Sequence, residues 1–312
     1  MRPDVTRVAD ELEKVLSGKR QVIEKALLAV LSDGHILLED VPGVGKTTLA
    51  VALSRALGLT SRRVQFTPDV LPSDLVGFSM VDRDSGSLRY HPGALCGVNL
   101  VLGDEINRAA SKTQSALLEA MEERQITVDG QTRPLERPFL VIATQNVVGA
   151  AGTQPLPFAQ LERFMMRLSI GYPDAAAQMA LLKARQTANP LDSVEPVLTR
   201  EQVLALQAEA AQVTVKDAVL DYITRLTEAS RTHPAVEVGI SPRGALSLCR
   251  AAKALACAEG RDYATGEDVS RMFADVCGHR VLLKRQARNE GLTVSGLLGE
   301  LLSSVPAADR RV

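Results

Sequence analysis

The sequence predicts a wound α/β layer on a parallel sheet, followed by an all-helical part. Three observations predict it. Up to about residue 172, short apolar strands alternate with helical stretches. Beyond Tyr172-Pro173 no convincing strand follows, and helical segments are separated by Pro, Gly or Asp-Ser breaks. Hydrophobic residues make up 46% of the 312-residue chain but aromatics only 3%, with no Trp. The core must therefore be Leu, Val, Ala and Ile, which suits packed helices and a buried parallel sheet.

The elements follow in order. Residues 5–31 read as two helices with a break near Gly18; Val8, Leu12, Val15 and Leu16 form the apolar face of the first. Residues 35–39 are a short buried strand, 40–45 a loop and 46–57 a helix without internal Gly or Pro. Residues 63–66 form a second strand. The polar segment 78–92, with Asp-Ser-Gly at its centre, reads as an inserted hairpin. Residues 98–102 form a third strand. Ser111 is the expected cap of a helix to Glu123, and 125–135 a hairpin turning at Asp129-Gly130. Residues 139–144 and 166–170 are the last two strands. Helices are expected near 174–187, 200–212, 216–232, 242–259 and 266–277.

Charge and cysteine usage narrow the function classes. With 36 basic and 37 acidic residues, the chain lacks the basic footprint of a dedicated nucleic-acid binder. The four cysteines form no C-x-x-C pair, and read as reduced thiols of a cytoplasmic protein without structural zinc. No apolar run approaches the ~18 residues needed to span a bilayer, and the charged N-terminus is no signal peptide.

Residues 40–47 read DVPGVGKT between a strand and a helix. In that context Pro42, Gly43, Val44, Gly45, Lys46, Thr47 and Thr48 read as a phosphate cradle. Glycines let backbone N–H groups turn inward around an anion, and the helix start adds positive dipole. Lys46 supplies a point charge for β- and γ-phosphates, and Thr47 a hydroxyl for Mg²⁺. A lysine at a helix N-terminus opposes the dipole and calls for an anion, which an ordinary strand–helix turn would lack. Asp40 stands where the general pattern has its first glycine, a position that starts the loop without facing phosphate.

A second apolar strand ends in Asp104-Glu105. In an open parallel sheet, ligands collect beyond the carboxyl ends of strands. Asp104 would hold Mg²⁺ through its water shell, since that ion prefers oxygen and keeps its waters. Glu105 would polarise the attacking water; a small-molecule kinase needs no such second carboxylate. Asn146, following the apolar strand, could align that water. As lone features, the acid pair would be solvated loop residues and Asn146 a turn residue. Arg243 lies in ISPRG, with Ser241 a plausible N-cap and Pro242 the first helical residue. A first-turn cation again calls for an anion. Arg163 precedes the fifth strand; sequence alone allows a surface ion pair there.

Together these residues resemble the AAA+ ATPases, specifically the MoxR family. The similar strings are HILLEDVPGVGKTTLA, RVQFTPDVLPSDLVG, DEINRA, KTQSALLEAMEERQITVDG, FLVIATQN, LPFAQLERFMMRLSIGYP and SPRGALSL, in order from residue 35 to 248, and then VLLKRQARNEGLTVSGLLGELL. Asp40 in place of Gly is usual in that family. The resemblance implies an αβα P-loop AAA+ core followed by a helical lid. With the boundary that the pattern change sets near 173–198, the core is 1–173 with the helix-2 insert at 78–92, 174–198 is linker and start of the lid, the lid is 199–305, and 306–312 reads as a frayed tail. It implies Asn146 as sensor 1, Arg163 as the arginine finger reaching a neighbouring subunit's ATP, and Arg243 as sensor 2. It implies ATP and Mg²⁺ as cofactors and a homo-oligomeric ring, commonly a hexamer. The activity would be ATP hydrolysis driving chaperone-like maturation, including cofactor insertion, of a client, often with a von Willebrand factor A domain partner. Phe158 and Ala110-Ser111 depart from the family's usual Glu and Pro-Pro. Competing readings are a nucleic-acid motor, disfavoured by charge and scarce aromatics, a metal-chelatase ATPase subunit, and a nucleotide-gated scaffold with negligible turnover.

Overall fold

The computed structural model describes residues 1–84, 86–145, 156–184, 186 and 189–307. Five strands form one parallel sheet in the order Ser61–Gln65, Leu100–Asp104, Leu140–Gln145, His35–Glu39, Phe164–Leu168. The first strand in sequence therefore lies between the last two: from it the chain crosses to the far edge, steps back strand by strand to its side, and adds the fifth strand on its other side, with a crevice at the strands' carboxyl ends.

Strand side chains alternate between two cores. Ile36, Leu38, Leu100, Leu102, Ile142 and Met166 face one, shared with the helices Pro3–Glu13, Arg20–Leu31 and Lys46–Ala56. Leu37, Val101, Val141 and Phe164 face the other, against Ser111–Glu123 and Pro72–Val76. The first core runs on into the C-terminal helices through Leu206, Leu226, Leu248 and Val269. Those helices thus pack on the flank of Arg20–Leu31: Gln207 donates to the Val30 carbonyl at 2.8 Å.

Arg280 anchors this half to the sheet. Its guanidinium is fully buried, and donates to the carbonyls of Glu162 at 3.1 Å, Phe164 at 2.6 Å and Met165 at 3.1 Å. A buried cation of this kind holds its place only where such acceptors surround it.

The predicted alternation of strands and helices is observed, with differences at particular residues. The fifth strand is Phe164–Leu168 rather than 166–170. The cause lies across the fold: the Ile170 and Gly171 N–H groups donate to the Asp40 carboxylate, each at 2.7 Å, and leave the ladder. The third strand is Leu100–Asp104, so Asp104 lies on the strand itself. Ser111 does not cap its helix; Ala110 holds the N-cap position without a side-chain bond. The helical half contains short pairings that the sequence does not mark, Thr214–Val215 with Tyr263–Ala264 and Val236–Val238 with Leu282–Leu283. Two or three residues are too few for a period to register. The helices Arg285–Asn289 and Val294–Ser304 extend the bundle beyond the marked segments. The insert is a hairpin, Phe78–Val81 against Leu88–His91, after the short helix Pro72–Val76.

Candidate active site

The strand His35–Glu39 ends in the loop that begins at Asp40. Gly43 and Gly45 have φ of +86° and +101°, a region that only glycine enters freely. They turn the chain so that the helix Lys46–Ala56 starts facing the crevice. Asp40 is more than a tolerated departure from glycine. Its carboxylate accepts from Val41 N at 2.9 Å, Ser169 Oγ at 2.9 Å, and Ile170 N and Gly171 N. Burial works to raise its pKa, but these bonds outweigh it and hold the carboxyl below its usual range. The carboxylate fastens the loop's start to the end of the fifth strand.

This makes a measurable prediction. Asp40→Asn turns one acceptor pair into an amide that cannot serve all four donors, a loss of about 2 kcal/mol at neutral pH. A carboxyl whose pKa is depressed by folding stabilises fully above its unfolded pKa and loses that contribution as pH falls through the folded one. Denaturant titrations should therefore find the gap between wild type and variant constant near neutrality and closing as pH drops below the carboxylate range. A gap that ignores pH would contradict the ionised clamp.

Pro42, Gly43, Gly45, Lys46, Thr47, Thr48, Asp104 and Glu105 line one cleft of about 320 Å³. The buried Lys46 ammonium donates to the Asp40 carbonyl at 2.8 Å. Desolvation pushes its pKa down, against the opposing pull of Asp40, Asp104 and Glu105. A partly desolvated cation at a helix start fits a phosphate ligand. Thr47 Oγ1 lies 3.4 Å from Asp104 Oδ2, so a hydroxyl and a carboxylate converge as Mg²⁺ donors do.

Three further residues of this cleft were not marked by the sequence reading: Arg63, Gln65 and Thr144. Arg63 Nε donates to Asp104 Oδ2 at 2.7 Å, and Gln65 Nε2 to Glu105 Oε2 at 3.2 Å. They stand two apart on the neighbouring strand, so they share a face; that period, at a strand's carboxyl end, was the available signal. Thr144 accepts from Glu105 N at 2.9 Å and donates to Asp104 Oδ1 at 3.2 Å, using its single proton. Glu105 itself has φ +57°, uncommon outside glycine, which turns its side chain back over the crevice. Arg108 NH1 donates to its carboxylate at 2.9 Å.

Val44 does not line this cleft. It faces a second recess of about 450 Å³ on the other side of the loop, with Val15, Leu16, Tyr172, Ala177 and Leu191. The recess is mostly apolar and connects through Gly43 and Gly45 to the phosphate side.

Arg163 and Arg243 are brought together, but away from this crevice. Both bond one carboxylate: Arg163 Nε to Glu122 Oε2 at 2.9 Å and Arg243 NH1 to Glu122 Oε1 at 3.2 Å. Within this chain, the anion beside the first-turn Arg243 is Glu122. Ser241 is the N-cap as expected, accepting from Gly244 N at 3.0 Å and donating to Glu162 at 2.7 Å. The recess that Arg163 and Arg243 line also contains Gly34 and His35, at the amino end of the strand His35–Glu39. The loop at 40–48 leaves the carboxyl end of that five-residue strand, roughly 15 Å further along. Asn146 lies outside the described residues, as does the tail from 308.

Comparison with known proteins adds the following. Residues 35–166 match the family model for the ATPase family associated with various cellular activities, and residues 228–299 that for the AAA lid domain. The uncharacterized protein YeaC of Bacillus subtilis is 42% identical over 311 residues, covering 100% of this chain and 97% of that one. Chaperone MoxR1 of Mycobacterium tuberculosis is 36% identical over 96% of this chain and 81% of that one. A solved structure of an ATPase candidate from Cytophaga hutchinsonii superposes with a TM-score of 0.90 at 36% identity, over 98% of this chain and 95% of that one.

Proposed function

The chain belongs to the MoxR family of AAA+ ATPases, and from that premise we propose that it hydrolyses MgATP between neighbouring subunits of a ring to remodel a client protein. The observation that carries the reading is the convergence of Lys46, Thr47, Asp104 and Glu105 on one cleft at the sheet's carboxyl edge.

The triphosphate lies along the loop 42–48, held by backbone N–H groups, the helix start and Lys46. The recess lined by Val15, Val44, Tyr172 and Leu191 takes the adenine, since it is apolar and contiguous with the loop. Thr47 and Asp104 would hold Mg²⁺, which supplies charge neutralisation for the β- and γ-phosphate oxygens. Glu105 is the general base: it receives the proton of the attacking water, and Arg108 and Gln65 aim its carboxylate. Arg63 holds Asp104 from the other side. Asn146, one residue past the strand Leu140–Gln145, aligns the water.

Arg163 and Arg243 serve the nucleotide of an adjacent subunit. Their distance from their own loop supports this over a cis role, and it moves Arg243 from the lid of its own site to the finger of the next. The wall over the chain's own nucleotide is then formed by Tyr172, Ala177, Leu181 and Leu191 rather than by the bundle that carries Arg243. Client identity is a matter of the family: chaperone-like maturation or cofactor insertion, with a ring of six subunits and a von Willebrand factor A domain adaptor as the specific expectation. Among the described residues no helix is long and apolar enough to cross a membrane.

Glu105→Gln tests the base. The amide keeps the side chain's shape but takes no proton. Nucleotide binding should persist, and steady-state phosphate release should fall by about 10²-fold or more. Turnover at the wild-type rate would remove Glu105 from that role. The same variant, loaded with ATP, is the form in which a client should stay bound.

A further inference from the structure

We infer that Glu122 is a positioning residue for hydrolysis in the neighbouring subunit: its one carboxylate sets the aim of both Arg163 and Arg243. The inference rests on the reading that these arginines act on an adjacent nucleotide.

Two guanidinium groups meant for the same phosphate repel each other, and each long side chain has many rotamers to lose. A shared carboxylate between them answers both problems. Glu122 reaches Arg163 through Nε at 2.9 Å and Arg243 through NH1 at 3.2 Å. Bonding at Nε matters: among the described residues the two terminal nitrogens of Arg163 make no hydrogen bond, so its fork remains available for a phosphate. Arg124, Arg163, Arg243 and Arg250 against Asp33, Glu122 and Glu162 leave a net cation at the recess.

The carboxylate itself stands on a fixed base. The preceding carbonyl, of Met121, accepts from His35 Nε2 at 2.9 Å, while His35 Nδ1 accepts from Val141 N at 3.0 Å, which fixes the tautomer. Two residues later, Arg124 donates to the carbonyls of Phe139 and of Asp33, the latter at 2.7 Å. Both arginine carriers are tied together behind it, through Ser241 to the Glu162 carboxylate at 2.7 Å and Arg280 to the Glu162 carbonyl at 3.1 Å. The backbones are held on three sides, and Glu122 fixes the last rotatable bonds.

An ordinary packing ion pair would look similar, so the test separates the two by asking which subunit carries the change. Lys46→Ala chains cannot bind nucleotide but can lend arginines; Arg163→Ala chains can bind nucleotide but cannot lend. Mixed, they hydrolyse ATP only where a Lys46→Ala chain serves an Arg163→Ala neighbour. Glu122→Gln, and separately Glu122→Ala, is then added to one partner at a time. Placed in the lending chain, either should lower phosphate release about tenfold or more, since a misplacement of ~1 Å can cost up to ~10²-fold. Placed in the nucleotide-binding chain, neither should change the rate or the KM for ATP. Equal losses on both sides, or none on the lending side, overturn the inference. Failure of the starting mixture to recover activity would instead overturn the reading of shared sites on which it rests. Both side chains replace a half-exposed carboxylate, and melting curves establish that the chains stay folded.

Discussion

Lys46→Ala should abolish nucleotide binding. The ammonium is buried at the start of a helix, desolvated enough to depress its pKa, and bonded to the Asp40 carbonyl at 2.8 Å. A triphosphate offers that cation what a carbonyl cannot, a full counter-charge. Truncating one member of such a pair leaves the other charge unmatched, a loss of about 10²-fold or more in affinity. The loop should keep its shape, because the glycines at 43 and 45 and the Asp40 carboxylate set it independently. Calorimetric titration with ATP and Mg²⁺, beside a melting curve, reads both. Wild-type affinity in the variant would remove the phosphate from this loop, and the remaining assignments with it.

Arg163→Ala should cut turnover by about 10³-fold while leaving nucleotide affinity near that of the wild type. The two effects separate because Arg163 belongs to the amino end of the sheet and the chain's own loop to the carboxyl end. A cation supplied across a subunit boundary acts on charge developing in the transition state, so its loss falls on kcat. Titrating wild-type protein should give specific activity that rises with concentration, and the variant should stay flat. A variant that binds ATP poorly but turns over normally would place Arg163 in its own site instead.

Much of this arrangement is legible in the sequence because phosphate chemistry constrains short, contiguous strings. Lys46 and Thr47 follow a glycine loop, and Asp104-Glu105 end an apolar strand, so each motif carries its own context. What escapes is whatever depends on elements meeting across the fold. Arg63 and Gln65 are ordinary polar residues of an exposed strand until that strand pairs with Leu100–Asp104. Val44 looks like part of the phosphate cradle, yet its side chain leaves on the other side of the loop. Glu122 is one of two adjacent acids at a helix end, indistinguishable from Glu123 until Arg163 and Arg243 converge on it. The fifth strand stops two residues early because Asp40, far away in sequence, claims the N–H groups beyond it.

The separation of the nucleotide loop from the paired arginines along one strand has a consequence for assembly. A two-fold contact uses one patch twice, but if the arginines serve a neighbour as proposed, the giving and receiving surfaces are different patches, at the two ends of the strand His35–Glu39. Productive contacts are therefore directional, each chain's tail set against the next one's head. An open row always ends with one unserved loop and one idle pair of arginines. Only closure employs every copy, so output per chain should climb as rows lengthen and reach its ceiling when the circle shuts.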